Sequence, residues 1–367
     1  MTTAPFKKVA QIHQELRELV VAGEWPVGVR LPTETELAGR FECSVGTMNK
    51  AMALLAHEGL IERKARVGTR VLGMPKAPES RSTELDAFAF IYPSDQHEGI
   101  WRNLRGFQEV ANQRKRRVVM LSTNAECDKD TEFLSRLQEF DVRGAVIFPN
   151  VSTPKAQVEF SQLIVNAKVP LVLISVNLMG LGRPTVVLDN IHAGYSVTRH
   201  LIEKGCRNIG FFSNRAGSMA MRDRYQGYRR AMEETGLPVL TENVVIDASM
   251  KSDFAQPLQE PTLLAGRYLS AGRKVDGVVC ATDYLAYGMA EAAKSAGLRV
   301  PQDLKIVGID GYYTPENRDC IHITTYKSPC EKIGQLAFET LEKLVSGVPI
   351  PPDEILVRGH IVVRDSS

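Results

Sequence analysis

No stretch of this sequence is both apolar and long enough to cross a bilayer, which takes about twenty residues. The N-terminus, MTTAPFKKVAQIHQELRELVV, scatters its charges through a helical pattern instead of setting them ahead of an unbroken apolar run. It does not read as a signal peptide, and a cytoplasmic location is expected. The six cysteines (Cys43, Cys127, Cys206, Cys280, Cys320, Cys330) form no C-x-x-C pair and meet no histidine at metal-ligand spacing. In a cytosolic chain such cysteines are expected as reduced, mostly buried thiols. Also missing are the G-x-G-x-x-G, P-loop, H-E-x-x-H and G-x-S-x-G signatures. The expectation is a binding protein with no catalytic residues, no cofactor and no metal. Net charge is only +2 over 367 residues. A nucleic-acid partner therefore has to be argued from a local patch, not from bulk charge.

The composition changes near residue 74. Before it lie short helical patterns and a basic hairpin. Met74-Pro-Lys-Ala-Pro-Glu-Ser-Arg-Ser-Thr-Glu84 is proline-rich, polar and without periodicity, and reads as a linker. After it, apolar runs such as AFAFIYP, GAVIFP, PLVLISV, TVVLD, IGFF, DGVVCA and KIVGID alternate with helical stretches. Continuous apolar strands between amphipathic helices predict parallel sheets covered on both faces, and so many units fit two Rossmann-like halves.

In the first segment, Val9, Ile12, Leu16, Leu19 and Val20 make one stripe of a helix from about Phe6 to Ala22. Thr33 with Glu36 is a capping box for a second helix, and Ser44 caps a third that runs to His57. Two short helices joined by a tight turn form a helix-turn-helix candidate. Leu60–Leu72 then reads as two strands around a basic turn, a wing with Arg63, Lys64, Arg66 and Arg70 beside Gly68.

The string Gly28-Val-Arg-Leu-Pro-Thr-Glu-Thr-Glu-Leu-Ala38, with Ser44-x-x-Thr47, Ala51, Leu54-Leu55, Glu58-Gly59-Leu60-Ile61 and Gly68-Thr69, resembles the GntR winged helix across about residues 6–73. The resemblance implies DNA contacts at Arg30, Thr33, Ser44, Val45, Thr47, Asn49, Lys50, Arg66 and Gly68. Where that family usually carries arginines, this chain has Val45 and Asn49. Asparagine suits adenine N6 and N7, and valine offers a methyl contact to thymine, so an operator core richer in A·T is expected. The alternative is lost base readout, with Arg30, Lys50 and the wing holding phosphates only.

In the second segment, Asp189-Asn190 ends a strand, where an open α/β sheet places its ligands. Asp283 follows Val278–Ala281 and serves either as a helix cap or as a ligand group. Arg224, one turn before Gly227 on a helix, can present a planar fork of donors; its plain alternative is a surface salt bridge. Together with His200-Leu-Ile-Glu-x-Gly205, Arg224-x-x-Gly227-Tyr228, Thr282-Asp283-Tyr-Leu-Ala286-x-Gly288, the run from Gly297 to Asp310 and Ile323-Thr-Thr325, these resemble the LacI/GalR effector domain over about residues 85–366. The resemblance implies effector contacts at Arg224, Asp283 and Asp189, with Tyr92 or Ser94 and Asn150 across a cleft. Trp101 and Phe254 are candidates to stack on a sugar face, or else pack ordinarily. Gly205-Cys206 replaces the family's glycine-histidine pair.

The arrangement as a whole resembles the arabinose-repressor type, a GntR head on a LacI-type body. Its expected domains are 1–73 (winged helix-turn-helix), 74–84 (linker) and 85–367 (ligand binding and dimerisation), with a first lobe of about 85–187 plus 312–327 and a second of about 188–311 plus 328–366. Pro75 and Pro78 oppose the hinge helix of ordinary LacI proteins. The expected partners are double-stranded operator DNA, a second copy of the chain and a sugar or related effector. The resemblance is compatible with an inducer or a corepressor, and with a neutral sugar, a sugar acid or a nucleobase.

Overall fold

A computed structural model describes residues 5–57, 60–64, 68–72, 87–93, 98–123, 132–134, 137, 142–149, 151, 153–176, 180–247, 256–311, 321–351 and 354–367. The chain divides into two compact units, Met1–Thr83 and Glu84–Ser367. The expected linker, 74–84, lies outside the described residues.

The first unit consists of α1 (Pro5–Val21), α2 (Glu34–Arg40), α3 (Val45–His57) and an antiparallel hairpin of β1 (Ile61–Lys64) and β2 (Gly68–Val71). Local chemistry sets its helix starts. The Thr33 hydroxyl accepts from the Glu36 amide at 3.3 Å, while the Glu36 carboxylate accepts from the Thr33 amide at 2.7 Å. Ser44 Oγ accepts from the Thr47 amide at 3.1 Å and so caps α3. Ile12, Leu16 and Val20 of the expected α1 stripe are buried against Leu37, Met48, Met52 and Leu55. Residues 28–31 pair with β2: the Leu31 amide donates to Thr69 and the Val71 amide to Val29, at 2.8 and 3.0 Å. That pairing ties the chain before α2 to the wing.

The second unit holds two six-stranded sheets. The first, ordered β13-β7-β6-β5-β3-β4, is parallel throughout. It combines β3 (Ala87–Tyr92), β4 (Arg117–Ser122), β5 (Gly144–Ile147), β6 (Leu171–Ile174), β7 (Thr185–Leu188) and β13 (Glu354–Val357). The second, ordered β14-β12-β11-β10-β8-β9, is parallel except for β14. Its strands are β8 (Ile209–Ser213), β9 (Val244–Ile246), β10 (Gly277–Cys280), β11 (Lys305–Asp310), β12 (Thr324–Lys327) and β14 (His360–Val362). The central strands are buried along their whole length, as helices on both faces require. Those helices are α4 (Glu98–Gln113), α5 (Pro154–Asn166), α6 (Asn190–Glu203), α7 (Met219–Glu234), α8 (Gln259–Ser270), α9 (Asp283–Ser295) and α10 (Cys330–Val345).

The last third of the chain departs from the expected lobes. β12, assigned to the first lobe, runs parallel to β11 in the second sheet, with Val307 opposite Thr324 and Asp310 opposite Lys327. Conversely α10 and β13, assigned to the second lobe, belong to the first. Phe338 of α10 packs its ring 5.2 Å from those of Phe88 and Phe107, and β13 pairs with β7. Only β14 stays in the second lobe. Three segments consequently connect the lobes: Leu188–Asn190, Lys327–Cys330 and Val357–His360.

Candidate functional site

In the second unit, polar groups meet at the C-terminal ends of the second sheet's strands, where parallel α/β sheets expose backbone and helix N-termini. Arg224, on α7, is only 5% exposed. Its Nε donates to Asn190 Oδ1 at 2.9 Å, one Nη to the Ala281 carbonyl, and the other to Asp310 Oδ1 at 2.9 Å. Three of its five N–H bonds are thus engaged. α7 can carry the guanidinium there because it crosses α6 at backbone contact distance. A Cβ on Gly227 would lie 2.0 Å from the Ile191 carbonyl oxygen, and one on Gly194 the same distance from that of Arg224.

Asp310 ends β11 with φ +133°, a conformation that side chains rarely adopt. Its carbonyl accepts from the Ser328 amide at 2.9 Å, and Arg224 holds its carboxylate. A non-glycine residue held in such a conformation by its neighbours is a feature of functional sites. The sequence pattern did not mark Asp310 as a site residue. A carboxylate closing a buried strand was the available signal, but Asp283 presents the same signal one strand earlier.

Asp283 is placed differently. Thr282 is the cap of α9, its hydroxyl accepting from the Leu285 amide at 3.3 Å. Asp283 follows it, 1% exposed, and accepts from Thr325 Oγ1 at 2.6 Å and from the Gly311 amide at 2.8 Å. It fastens the residue after β11 and the body of β12 to α9. Burial first, and the neighbouring Asp310 second, push its carboxyl up to about 7.

Asp189 caps α6 through the His192 amide at 2.9 Å and accepts from Arg358 Nε at 2.9 Å. That pair spans two of the lobe connections. A third residue joins in: Tyr326 Oη accepts from the Gly359 amide at 2.8 Å and lies 2.9 Å from His192 Nδ1. Burial and the Arg358 cation hold His192 below the usual imidazole range.

In the first lobe, Tyr92 closes β3, 5% exposed, its ring 6.2 Å from that of Phe90. Ser94, Asn150 and Phe254 lie outside the described residues. Trp101 sits on α4, 44% exposed.

In the first unit, α3 presents Ser44, Val45, Asn49 and Lys50 to solvent, with Thr47 half-buried. The Ser44 and Thr47 hydroxyls lie 2.8 Å apart, and the Thr33 hydroxyl is bonded to Glu36, so all three are engaged in local caps. Asn49 Nδ2 donates to Glu34 Oε2 at 2.9 Å. Gly68, at φ +105°, lies under the Arg30 guanidinium, where a Cβ would come within 2.3 Å of Arg30 Nε. The wing glycine thereby sets Arg30 against the hairpin. Arg66 lies outside the described residues. No described helix is long and apolar enough to cross a membrane.

Comparison with known proteins matches residues 8–71 to the gntR family of bacterial regulatory proteins and residues 198–367 to the periplasmic binding protein-like domain. The arabinose metabolism transcriptional repressor of Geobacillus stearothermophilus is 28% identical over 373 residues, covering 100% of this chain and 99% of that protein. The ribose operon repressor of Halalkalibacterium halodurans is 27% identical over 263 residues, covering 72% of this chain and 74% of that protein. Among solved structures, the transcription regulator CcpA of Lactococcus lactis superposes with a TM-score of 0.66 at 21% identity, over 77% of this chain and 98% of that one.

Proposed function

Since this chain joins a GntR-type helix-turn-helix domain to a periplasmic binding protein-like domain, we propose that it is a ligand-responsive transcriptional repressor whose effector is a neutral, polyhydroxylated small molecule of the pentose or hexose class. The observation that carries this reading is the union of the two modules along the full length of an arabinose metabolism repressor. The body supports the choice of effector. Arg224 faces no net deficit of charge, because Asp310 balances it at 2.9 Å. A sugar acid or phosphate would bring an anion beside that carboxylate, whereas hydroxyls can both accept from the remaining guanidinium N–H groups and donate to oxygens.

The effector binds at the strand ends of the second lobe with Arg224 and Asp310, and the first lobe closes on it with residues around Tyr92. Asp189 acts at the lobe connections through Arg358, and Asp283 acts indirectly by holding the strand ends. Binding favours one relation of the lobes, and operator affinity changes by the effector's differential affinity for the two arrangements. The repressor works in the cytoplasm as a homodimer on a pseudo-palindromic operator.

The rival reading, an enzyme on this fold, would use Asp283 as a buried acid with its carboxyl near 7. Both its oxygens, however, already accept bonds from Thr325 and Gly311, and the side chain is 1% exposed. A general acid has to reach the atom it protonates.

The test pairs thermal melting against pentoses, hexoses, sugar acids and purines with operator binding by fluorescence anisotropy. A neutral sugar is expected to raise the melting midpoint by mass action and to change operator affinity. Asp310→Asn, which keeps an acceptor for Arg224, is expected to weaken that sugar at least roughly tenfold, the effect of losing about one charge-assisted hydrogen bond. Stabilisation by sugar acids alone would overturn the neutral-ligand assignment.

A further inference from the structure

Glu34 opens α2, and its carboxylate joins three elements of the head. Oε2 accepts from Asn49 Nδ2 of α3 at 2.9 Å, and Oε1 accepts from the Arg63 guanidinium of β1. Glu34 is 24% exposed and Arg63 34% exposed at the side chain, so the ion pair is shielded on one side. We infer that Glu34 is a specificity-determining positioning residue: it orients the Asn49 carboxamide so that its outer edge reads adenine in the operator. The inference rests on the head being a DNA reader, as proposed above.

A carboxamide on an exposed helix face turns freely about its last torsion and can present its oxygen or its nitrogen. A carboxylate is acceptor-only, so Glu34 can engage the NH2 end alone, and this removes the ambiguity. With one N–H held by Glu34, Asn49 keeps a second N–H and its carbonyl oxygen. That donor–acceptor pair complements adenine N7 and N6. Against guanine it would set the carbonyl oxygen against O6, a repulsion that favours adenine further. Arg63 does a separate job. It neutralises a carboxylate that would otherwise repel the phosphates of an approaching duplex.

The test is binding-site selection with the full-length wild type and with Glu34→Gln, Glu34→Ala, Asn49→Ala and the Glu34→Ala/Asn49→Ala double variant, each also melted. The wild type is expected to select adenine at one position of each half-site, by roughly tenfold over guanine. Glu34→Gln, whose amide can donate as well as accept, lets Asn49 present either end and weakens that preference. Glu34→Ala loses it to the level of Asn49→Ala, and the double variant is no worse than Asn49→Ala alone, because both act through one side chain. Melting midpoints stay within those of the wild type, while Glu34→Ala frees Arg63 and steepens the salt dependence of binding by about one phosphate contact. Retained adenine preference in Glu34→Ala would overturn the inference. So would a Glu34 effect that persists undiminished in the Asn49→Ala background, since Glu34 would then touch a base itself. A wild type that selects an operator without adenine at that position defeats this inference and leaves the repressor standing; a wild type with no sequence preference defeats both.

Discussion

Each lobe of the body crosses two helices at backbone contact, and each puts an arginine into the crossing. In the first lobe, a Cβ on Gly106 of α4 or Gly334 of α10 would lie 2.0 or 1.9 Å from a carbonyl oxygen of the other helix. Gly194 of α6 and Gly227 of α7 repeat the arrangement in the second lobe. What differs is the residue that the partner helix offers the guanidinium in its first turn. α10 offers Glu331, which takes Arg102 through two parallel bonds of 2.8 Å and Arg105 through a third of 3.1 Å. α6 offers Asn190, an uncharged acceptor that takes only Nε of Arg224. The first arginine spends both its bonds on one carboxylate between the helices. The second keeps its charge for the strand ends and finds Asp310. One change of side chain, carboxylate to carboxamide, separates a clamp from a candidate site.

The comparison breaks most visibly when each arginine is replaced by methionine, which keeps the apolar stem. Arg224→Met leaves Asp310 charged, 6% exposed and without its cation. Breaking a buried pair this way costs about 3–5 kcal/mol. Arg102→Met is expected to cost about 1 kcal/mol, because Glu331 is 33% exposed at its side chain and retains Arg105. Denaturant midpoints of the two variants measure the gap. Equal losses would mean that the two pairs are the same kind of structural clamp.

A second contrast lies in pH. Burial works against it, but the Arg102 hydrogen bond still holds the Glu331 carboxyl below its usual value, so its contribution is present near neutrality and fades in acid. Asp283 is shifted the opposite way, from 3.8 up to about 7. The folded chain then retains a proton that the unfolded chain has released, and stability falls as pH rises from about 4 through about 7. The shift sets an upper limit of about 4 kcal/mol. His192, held low by burial, opposes this below the usual imidazole range, where the unfolded state takes up protons first. Asp283→Asn is expected to flatten the decline between pH 5 and about 7 while leaving the acid limb in place. Melting midpoints across that range check it, and a wild type with no decline would show that Asp283 is solvated or paired as an anion.

These contrasts also mark what the sequence could and could not convey. Strand positions are legible because strands buried on both faces are apolar throughout, as in AFAFIY and GVVC. The lobe to which α10 belongs is not. Its stripe of Ile333, Ala337, Phe338 and Leu341 would suit either sheet, and contacts from distant elements decide, such as the rings of Phe88 and Phe107. Arg224 stands out through its spacing to Gly227, since the helix crossing demands the glycine. Asp283 and Asp310 look alike in sequence, each an aspartate at the end of an apolar strand. Their difference lies in hydrogen bonds from Thr325, Gly311 and Arg224, which come from other elements. In the head, the caps at Thr33 and Ser44 are local and legible. The contact between Glu34 and Asn49 spans two helices and depends on how they cross.

The smallest effect concerns polar atoms that the two lobes bury without a hydrogen-bond partner. In the first lobe, one is Asn103 Oδ1, whose amide end donates to the Gly99 carbonyl at 2.7 Å. In the second, one is Ser213 Oγ, fully buried at the end of β8. Asn103 cannot be shortened without losing a bond that α4 uses. Ser213→Ala removes one orphaned hydroxyl and almost no volume, so it is expected to raise stability by about 1 kcal/mol, the lower end of the cost of such a group. For a body of this size that is a rise of about 2–4 °C in melting midpoint. Sugar affinity should stay at the wild-type value, because a hydroxyl with 0% exposure does not reach the ligand. A variant that melts higher but binds sugar more weakly would show that the lobes open enough for the ligand to take this hydroxyl. The site would then extend from Arg224 and Asp310 along the strand ends to β8, and Ser213 Oγ, unlike Asn103 Oδ1, would belong to recognition.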